Sequence, residues 1–483
     1  MWKRKIAWLV FLLLLLPFST VQAAEAGPFQ CILSWTGDTG TTMTVSWRDS
    51  TTGAEVLQTV SAPRYDKSGF TDAQTFPADS KSLGSGSGNI WRYEATAEGL
   101  SPGVEYVYRV GNSGGWSDAK RFTTADPGAP SLTFAYLGDI QTADDTEREN
   151  ALWGELAQSM ARKNPDLAFA VLGGDIVESG IRPALFDSFF KNASPVFSQI
   201  PLMAANGNHE SNFPGGKPEL YLQEFALPTN GPNGFTEEFY SFDDANCHIL
   251  VLNSWIFSGE QALTDADIQR VNDWIRNDLA HSTADWQIVV THVPVYPVHS
   301  DATADRVRAN WAPIFEKYGV DLVFEGHQHV YSRSFPLKQG AIDFADGVTY
   351  IMGNSGQKFY SDADETLAAR TIYNTATYQL VHADEDTLHV GTYELGGDEL
   401  DDVTLHNRPI SATRGEYVET LWRGVGSPAP GGASPFPDAK TPAAAWAYQT
   451  GLIRGYDNRK FGFGDTITAR QIGLILGRMG GAA

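Results

Sequence analysis

Cysteine is almost missing from this chain: Cys31 and Cys247 are the only two among 483 residues. A dense disulfide framework is excluded, and two thiols so far apart lack the clustering that a thiolate metal site needs. Both read as buried thiols, although export would permit them to pair. Positive charge is also scarce, with 35 lysines and arginines against 58 aspartates and glutamates and a formal charge of -23. That balance argues against nucleic acid or an anionic membrane surface as the main partner. Beyond the first two dozen residues no apolar run is long enough to cross a bilayer, so no transmembrane segment is expected once they are removed.

What is present is strongly organised. The start, "MWKRKIAWLVFLLLLLPFSTVQAAEA", has three basic residues, an apolar core and small residues at "VQA". This is the anatomy of a secretory signal peptide over residues 1–23, and it leads us to expect a secreted, extracellular or wall-associated bacterial protein. From 27 to 125 short alternating runs such as "TTMTVSW" and "IWRYEATAEGL" are separated by Gly, Ser and Pro turns, the pattern of an all-β sandwich. The sandwich is expected to be a spacer without chemistry of its own. "ADPGAP", Ala125 to Pro130, marks a boundary. Over 131–410 apolar strands alternate with amphipathic helices, giving a central α/β domain with polar residues at the strand C-termini. A Pro-, Gly- and Ala-rich linker over 424–434 precedes two helical patterns around a Gly-rich turn in 435–480. The fold class expected is multidomain: β-sandwich, α/β domain and small helical C-terminal repeat.

Five strand ends carry candidate ligands: Asp139 in "GDIQ", Asp175 in "GGDIVE", Asn208 and His209 in "GNHE", His292 in "VVTHVP", and His327 with His329 in "GHQH". Gly-Asp alone is a common turn. All five in this order, each directly after an apolar strand, are hard to reconcile with chance. Two cations about 4 Å apart repel each other, so a carboxylate must lie between them while neutral imidazoles complete the shells. Asp175 is the natural bridge. Imidazole nitrogens select transition metals over calcium, and a metal pair can acidify water and clamp a phosphoryl oxygen.

At this point the resemblance is plain. Residues 131 to about 400 resemble the calcineurin-like metallophosphoesterase superfamily, and together with the sandwich the chain resembles its purple acid phosphatase branch. "LSPGVEYVYRVG", "GDIQT", "GNHE", "THVPVY" and "GHQHVYSR" carry the likeness. "LSPGVEYVYRV" is also similar to the late strands of fibronectin type III modules, with Tyr106 at the corner-tyrosine position. The resemblance implies a four-layer αββα fold and two transition-metal ions, Fe, Zn or Mn. It implies that Asp139, Asp175 and His329 hold the first metal, and Asp175, Asn208, His292 and His327 the second. His209 would face the phosphate as general acid. The C-terminal segment resembles one S-layer homology repeat, through "FPD", "WAYQTGLIRGY" and "ITARQ", which implies a cell-wall polymer as partner.

Two positions depart from the family pattern. Gln141 stands where the superfamily has a histidine, and Glu178 where the purple branch has a tyrosine, three residues after the bridging aspartate. Gln141 could offer its amide oxygen, Glu178 its carboxylate, or water could fill the gap. Each alternative removes the phenolate, so a colourless site with a more weakly held first metal is expected. Around the site Tyr296, His299 and Arg333 are candidate substrate contacts, Arg333 having a structural ion pair as its rival role. Asn253 ends another strand beside the site. Asp144, Asp145, Glu147 and Glu149 read as a solvated helix start.

The expected function is a dimetal phosphoester hydrolase, an acid-phosphatase-like phosphomonoesterase in which a metal-held hydroxide attacks phosphorus in line. Its partner would be a phosphorylated small molecule or an exposed phosphoester. The rivals are a phosphodiesterase of the same fold and a cell-wall adhesin with a degenerate metal site.

Overall fold

The computed structural model describes residues 27–479 apart from 51, 84–89, 142–146, 213–214, 345, 408, 457–458, 469–470, 473–474 and 476–477. The signal-peptide stretch, Asp144 and Asp145 lie outside the described residues. Glu147 and Glu149 open a helix, Glu147–Lys163.

Two antiparallel sheets form the N-terminal region. One runs Phe29–Ser34, Met43–Asp49, Trp91–Ala97, Asp79–Ser82; the other is built on Val56–Ser61 and Glu105–Asn112. The Tyr106 hydroxyl accepts the Ser101 N–H at 2.9 Å, pinning the preceding turn as a corner tyrosine does.

The central domain holds a six-stranded and a seven-stranded sheet. In the first, Leu202–Ala205, Phe169–Gly173 and Ser131–Leu137 lie side by side and parallel. In the second, Cys247–Leu252, Trp286–Thr291, Leu322–Glu325 and Thr349–Met352 do the same. Strand periodicity sorts the side chains into layers. Ile249, Val251, Ile288, Val290 and Phe324 join the core shared with Phe134 and Phe169 of the other sheet. Their alternates Leu250, Leu252, Val289 and Val323 pack outward on helices Asp265–His281 and Ala302–Tyr318. On the far side of the six-stranded sheet, Glu147–Lys163 and Pro183–Phe197 add Trp153, Leu156, Phe186 and Phe189. Helix, sheet, sheet, helix is the expected order of layers.

The sandwich is less separate than a spacer would be. Its Trp35 packs edge-on to Phe169 at 5.5 Å, within one continuous core. Arg48 reaches across to Asp187 and to the buried Glu224, at 2.7 Å each. Cys31 and Cys247 are both buried, and burial pushes the Cys31 thiol up to about 12.

The C-terminal core begins upstream of the expected repeat. Helix Arg414–Gly424 contributes Val418 to a cluster with Phe436, Ala444, Leu452, Phe461 and Ile467. Strand Pro409–Thr413 pairs with Thr466–Thr468. The helix before the linker thus packs into this small core, with Tyr417, Leu421 and Trp422 partly buried against it. Arg478 donates to the carbonyls of Ala280 and Ser282, docking the unit on the end of the Asp265–His281 helix.

Among the described residues no helix is long and apolar enough to cross a membrane.

Candidate metal centre

The parallel strands of both sheets end at one place. Asp139, Asp175 and Asn208 follow three neighbouring strands of the six-stranded sheet; His292, His327 and His329 follow two neighbours in the other. Because strand ends are fixed by backbone pairing, residues 188 positions apart in sequence are brought within hydrogen-bonding range. The backbone N–H of His327 donates to both Asp139 oxygens at 2.9 Å. A side chain at Gly326 would collide with Asp139 Oδ2, its Cβ falling 2.5 Å away, which is why the motif opens on glycine. Asp139, Gln141, Asp175, His327 and His329 all adopt left-handed backbone, with φ between 45° and 74°. Such strain persists where surrounding structure holds it, and it gathers at functional sites.

Two groups share Asp175. Asp175, His292 and His327 place one ligand atom each within 4.8 Å of one another, and so do Asp139, Asp175 and His329. Asn208 joins the first group: its Oδ1 lies 3.1 Å from His292 Nε2 and 2.8 Å from His327 Nδ1. The other nitrogen of each of these imidazoles is already committed. His292 Nδ1 faces the Gly173 carbonyl at 2.9 Å, and His327 Nε2 faces Asp301 Oδ2 at 2.9 Å. Their remaining lone pairs therefore point at Asn208 and Asp175 oxygens, a cluster of acceptors that only a cation or extra protons can satisfy. The donor set fits a pair of transition-metal ions.

The electrostatics agree. Burial alone would lower the His292 pKa, yet Asp175 at 3.1 Å holds it at about 9. A metal ion would take that proton's place. Burial pulls His329 down to about 3, with the Lys358 charge adding to it, so its imidazole is a neutral donor. Burial pushes the Asp139 carboxyl up and the neighbouring Asp175 adds to this. Asp175, opposed by burial but flanked by His292, His209 and His327, is held well below the usual range.

His209 sits on the rim. Its backbone N–H donates to Asp175 at 2.9 Å, its Nδ1 meets the Glu178 carbonyl at 2.5 Å, and its Nε2 faces Asp175 Oδ2 at 3.8 Å. The Gln141 amide nitrogen is 3.4 Å from Asp175 Oδ2, whereas the Glu178 side chain is exposed on the wall of a neighbouring cavity.

The structure leads two of the three candidate substrate contacts elsewhere. Tyr296 packs on Tyr350 and accepts the Gly340 N–H at 3.2 Å, facing a cavity lined by helix Ala302–Tyr318. Arg333 is bound by both oxygens of Asp401, at 2.7 and 2.9 Å, so its guanidinium joins strands. His299 stands one ring removed: it packs on Tyr360, whose ring lies 4.9 Å from that of His329. Asn253 caps the short helix Ser254–Phe257 and donates to Glu238.

Two residues escaped the sequence reading. Asp301 holds His327 with Oδ2 while Oδ1 caps helix Ala302–Tyr318. Glu210, fully buried, accepts the backbone N–H groups of Asp175, Ile176, Val177 and Gly207 and so shapes the loop that carries Asp175. "GNHE" contained the second and the helix start in "SDAT" the first, but neither motif says what its acid binds.

Comparison with known proteins fits this geometry. Residues 132–331 match the calcineurin-like phosphoesterase family and residues 28–124 the purple acid phosphatase N-terminal domain. Acid phosphatase type 7 of Mus musculus is 28% identical over 366 residues, 68% of this chain and 77% of its own. Purple acid phosphatase 18 of Arabidopsis thaliana is 25% identical over 363 residues, 71% of this chain and 74% of its own. The structure of a purple acid phosphatase from yellow lupin (Lupinus luteus) seeds superposes with a TM-score of 0.65, covering 80% of this chain and 75% of that one at 16% identity. The chain is therefore a metal-dependent phosphoric ester hydrolase whose residues 132–331 are similar to calcineurin-like phosphoesterases. Joined to its N-terminal domain, the catalytic region makes the protein purple acid phosphatase-like.

Proposed function

We propose that this protein is a dimetal phosphomonoesterase, exported and held at the cell surface. The sharing of Asp175 between two groups of ligand atoms is the observation that carries the reading. Asp139, Asp175 and His329 would hold one ion, and Asp175, Asn208, His292 and His327 the other. Once bound, the ions would supply Lewis-acid charge at the phosphoryl oxygens and acidify a water. With Nδ1 committed to Glu178, His209 offers Nε2 to the substrate. From there its proton stabilises charge developing on phosphorus and passes to the leaving oxygen. Export rests on the basic, apolar and small-residue pattern of 1–23. Wall attachment rests on the S-layer-like residues of 435–480, and a fibronectin type III-like sandwich on the corner tyrosine.

The test compares wild type with His209→Ala on a chromogenic phosphomonoester and a phosphodiester, with Mn, Zn or Fe supplied. Loss of general acid catalysis is expected to lower kcat by on the order of 10²–10⁴ without changing metal content. Equal rates in the two proteins would reject the role of His209, and a preference for the diester would reassign the substrate class. Sedimentation of the full chain with purified wall sacculi tests attachment: protein remaining in the supernatant would sink it.

A further inference from the structure

Beside the metal centre lies a cavity of about 320 Å³, lined by Ile140, Gln141, Trp153, Leu156, Glu178 and Lys358 among others. It adjoins the reacting position from two sides. Gln141 is 3.4 Å from Asp175, and the Glu178 carbonyl holds His209, the group from which the leaving oxygen would take its proton. Its walls mix apolar Ile140, Leu152, Leu156 and Ala376 with polar Gln141, Ser355 and Gln357 and the exposed Glu178 carboxylate, and two of its lining residues carry N–H groups without a hydrogen-bond or carboxylate partner among the described residues. The Trp153 indole N–H is buried without an acceptor among the described residues. Nor does any carboxylate among the described residues pair with Lys358, an exposed ammonium in a chain with a formal charge of -23.

Lys358 is placed rather than left to wander. Its carbonyl accepts the Asn354 amide at 2.9 Å, and Asn354 Oδ1 lies 3.4 Å from His329 Nδ1. Two residues on, the Tyr360 N–H donates to the His329 carbonyl at 3.1 Å, and the ammonium stands 5.6 Å over the Tyr360 ring. The Ser355 N–H donates to the Gly138 carbonyl at 2.6 Å. Gly356 presses so close that a Cβ there would lie 2.2 Å from the Asp139 carbonyl. The loop bearing Lys358 is thus fastened to residues on both sides of the group of ligand atoms formed by Asp139, Asp175 and His329.

We infer that this cavity receives the leaving group of the phosphoester, and that Lys358 binds an anionic substituent on it while the Trp153 N–H meets an acceptor. The inference rests on the phosphomonoesterase reading above. The substrate class it names is a compact organic phosphomonoester whose leaving group carries a carboxylate or a second phosphate. Its volume lies at the lower end for small-molecule sites, which suits one ring or a short chain.

Matched esters test it: phenyl phosphate against 4-carboxyphenyl phosphate, which differ by one carboxylate. Wild type should favour the carboxylated ester in kcat/KM by about tenfold, the scale of one charge-assisted hydrogen bond. Lys358→Ala should abolish that preference through KM with kcat little changed, Lys358→Arg should keep part of it, and Lys358→Glu should reverse it. An unchanged preference in Lys358→Ala would overturn the inference. Trp153→Phe should raise KM for the carboxylated ester severalfold. Calorimetric binding of the hydrolysis-inert benzylphosphonate and 4-carboxybenzylphosphonate to the metal-loaded protein gives an answer independent of turnover. If neither ester is hydrolysed but the carboxylated phosphonate still binds more tightly through Lys358, the hydrolase reading fails and the anion site stands. If the two phosphonates bind equally in wild type and Lys358→Ala, the site is rejected.

Discussion

Asp301 Oδ2 lies 2.9 Å from His327 Nε2 while the same carboxylate's Oδ1 accepts the N–H groups of Thr303 and Ala304. One side chain therefore starts a helix and orients an imidazole. Asp301→Ala should lower metal affinity by roughly 10–100-fold and cost about 1 kcal/mol from the lost helix cap. Asp301→Asn should keep most of the cap yet weaken metal binding, because a neutral amide is a poorer acceptor for the imidazole N–H. Competitive chelation followed by metal analysis, alongside thermal melting, separates the effects. Equal metal affinity in all three proteins would remove Asp301 from the site.

Glu210, fully buried, accepts four backbone N–H groups with its two carboxylate oxygens. Glu210→Gln presents an NH₂ where an acceptor is required and should cost about 2–4 kcal/mol. Since the loop it shapes carries Asp175, metal stoichiometry should fall with it. Chemical denaturation and metal analysis check both; a stable variant that keeps its metal would show the loop holds itself.

Glu178 occupies the position at which a tyrosinate would colour the site, and its side chain lines the adjoining cavity. Iron-loaded protein should therefore lack an intense visible charge-transfer band. An absorption spectrum after iron loading decides the matter.

His248 lies between Asp243 at 2.6 Å and Asp278 at 2.8 Å, away from the metal centre. Burial disfavours its charge, but the two carboxylates overcome this and raise its pKa from 6.5 to about 9. A raised folded-state pKa means that the stabilisation is complete below about pH 6.5 and is lost as pH climbs through 9. Unfolding free energy should thus fall by on the order of 3 kcal/mol over that window. His248→Gln should flatten that fall, as urea titrations at successive pH values would reveal.

The five strand ends were legible because a ligand directly after a parallel strand is positioned by backbone pairing, which an apolar run announces. Asp139, Asp175 and His292 needed no knowledge of distant residues to be placed at a sheet's edge. Arg333 illustrates the opposite case: the residue that claims it, Asp401, lies on a strand far along the chain, and nothing local to "HVYSR" indicates the pairing. Tyr296 likewise follows a ligand in sequence but turns into the outer core, where Tyr350 packs against it.

By itself the sequence determined the order of strands and helices, the layer each apolar residue takes through its periodicity, and the set of donors able to hold metal. These are local properties, written in spacing and side-chain chemistry. Only the tertiary structure decided that Asp301 and Glu210 support these ligands, and that Lys358 stands beside them without a carboxylate partner among the described residues. Those relationships depend on distances between separate elements, Asp301 and His327 lying 26 residues apart and Glu210 and Asp175 35, which close packing sets and no single segment encodes.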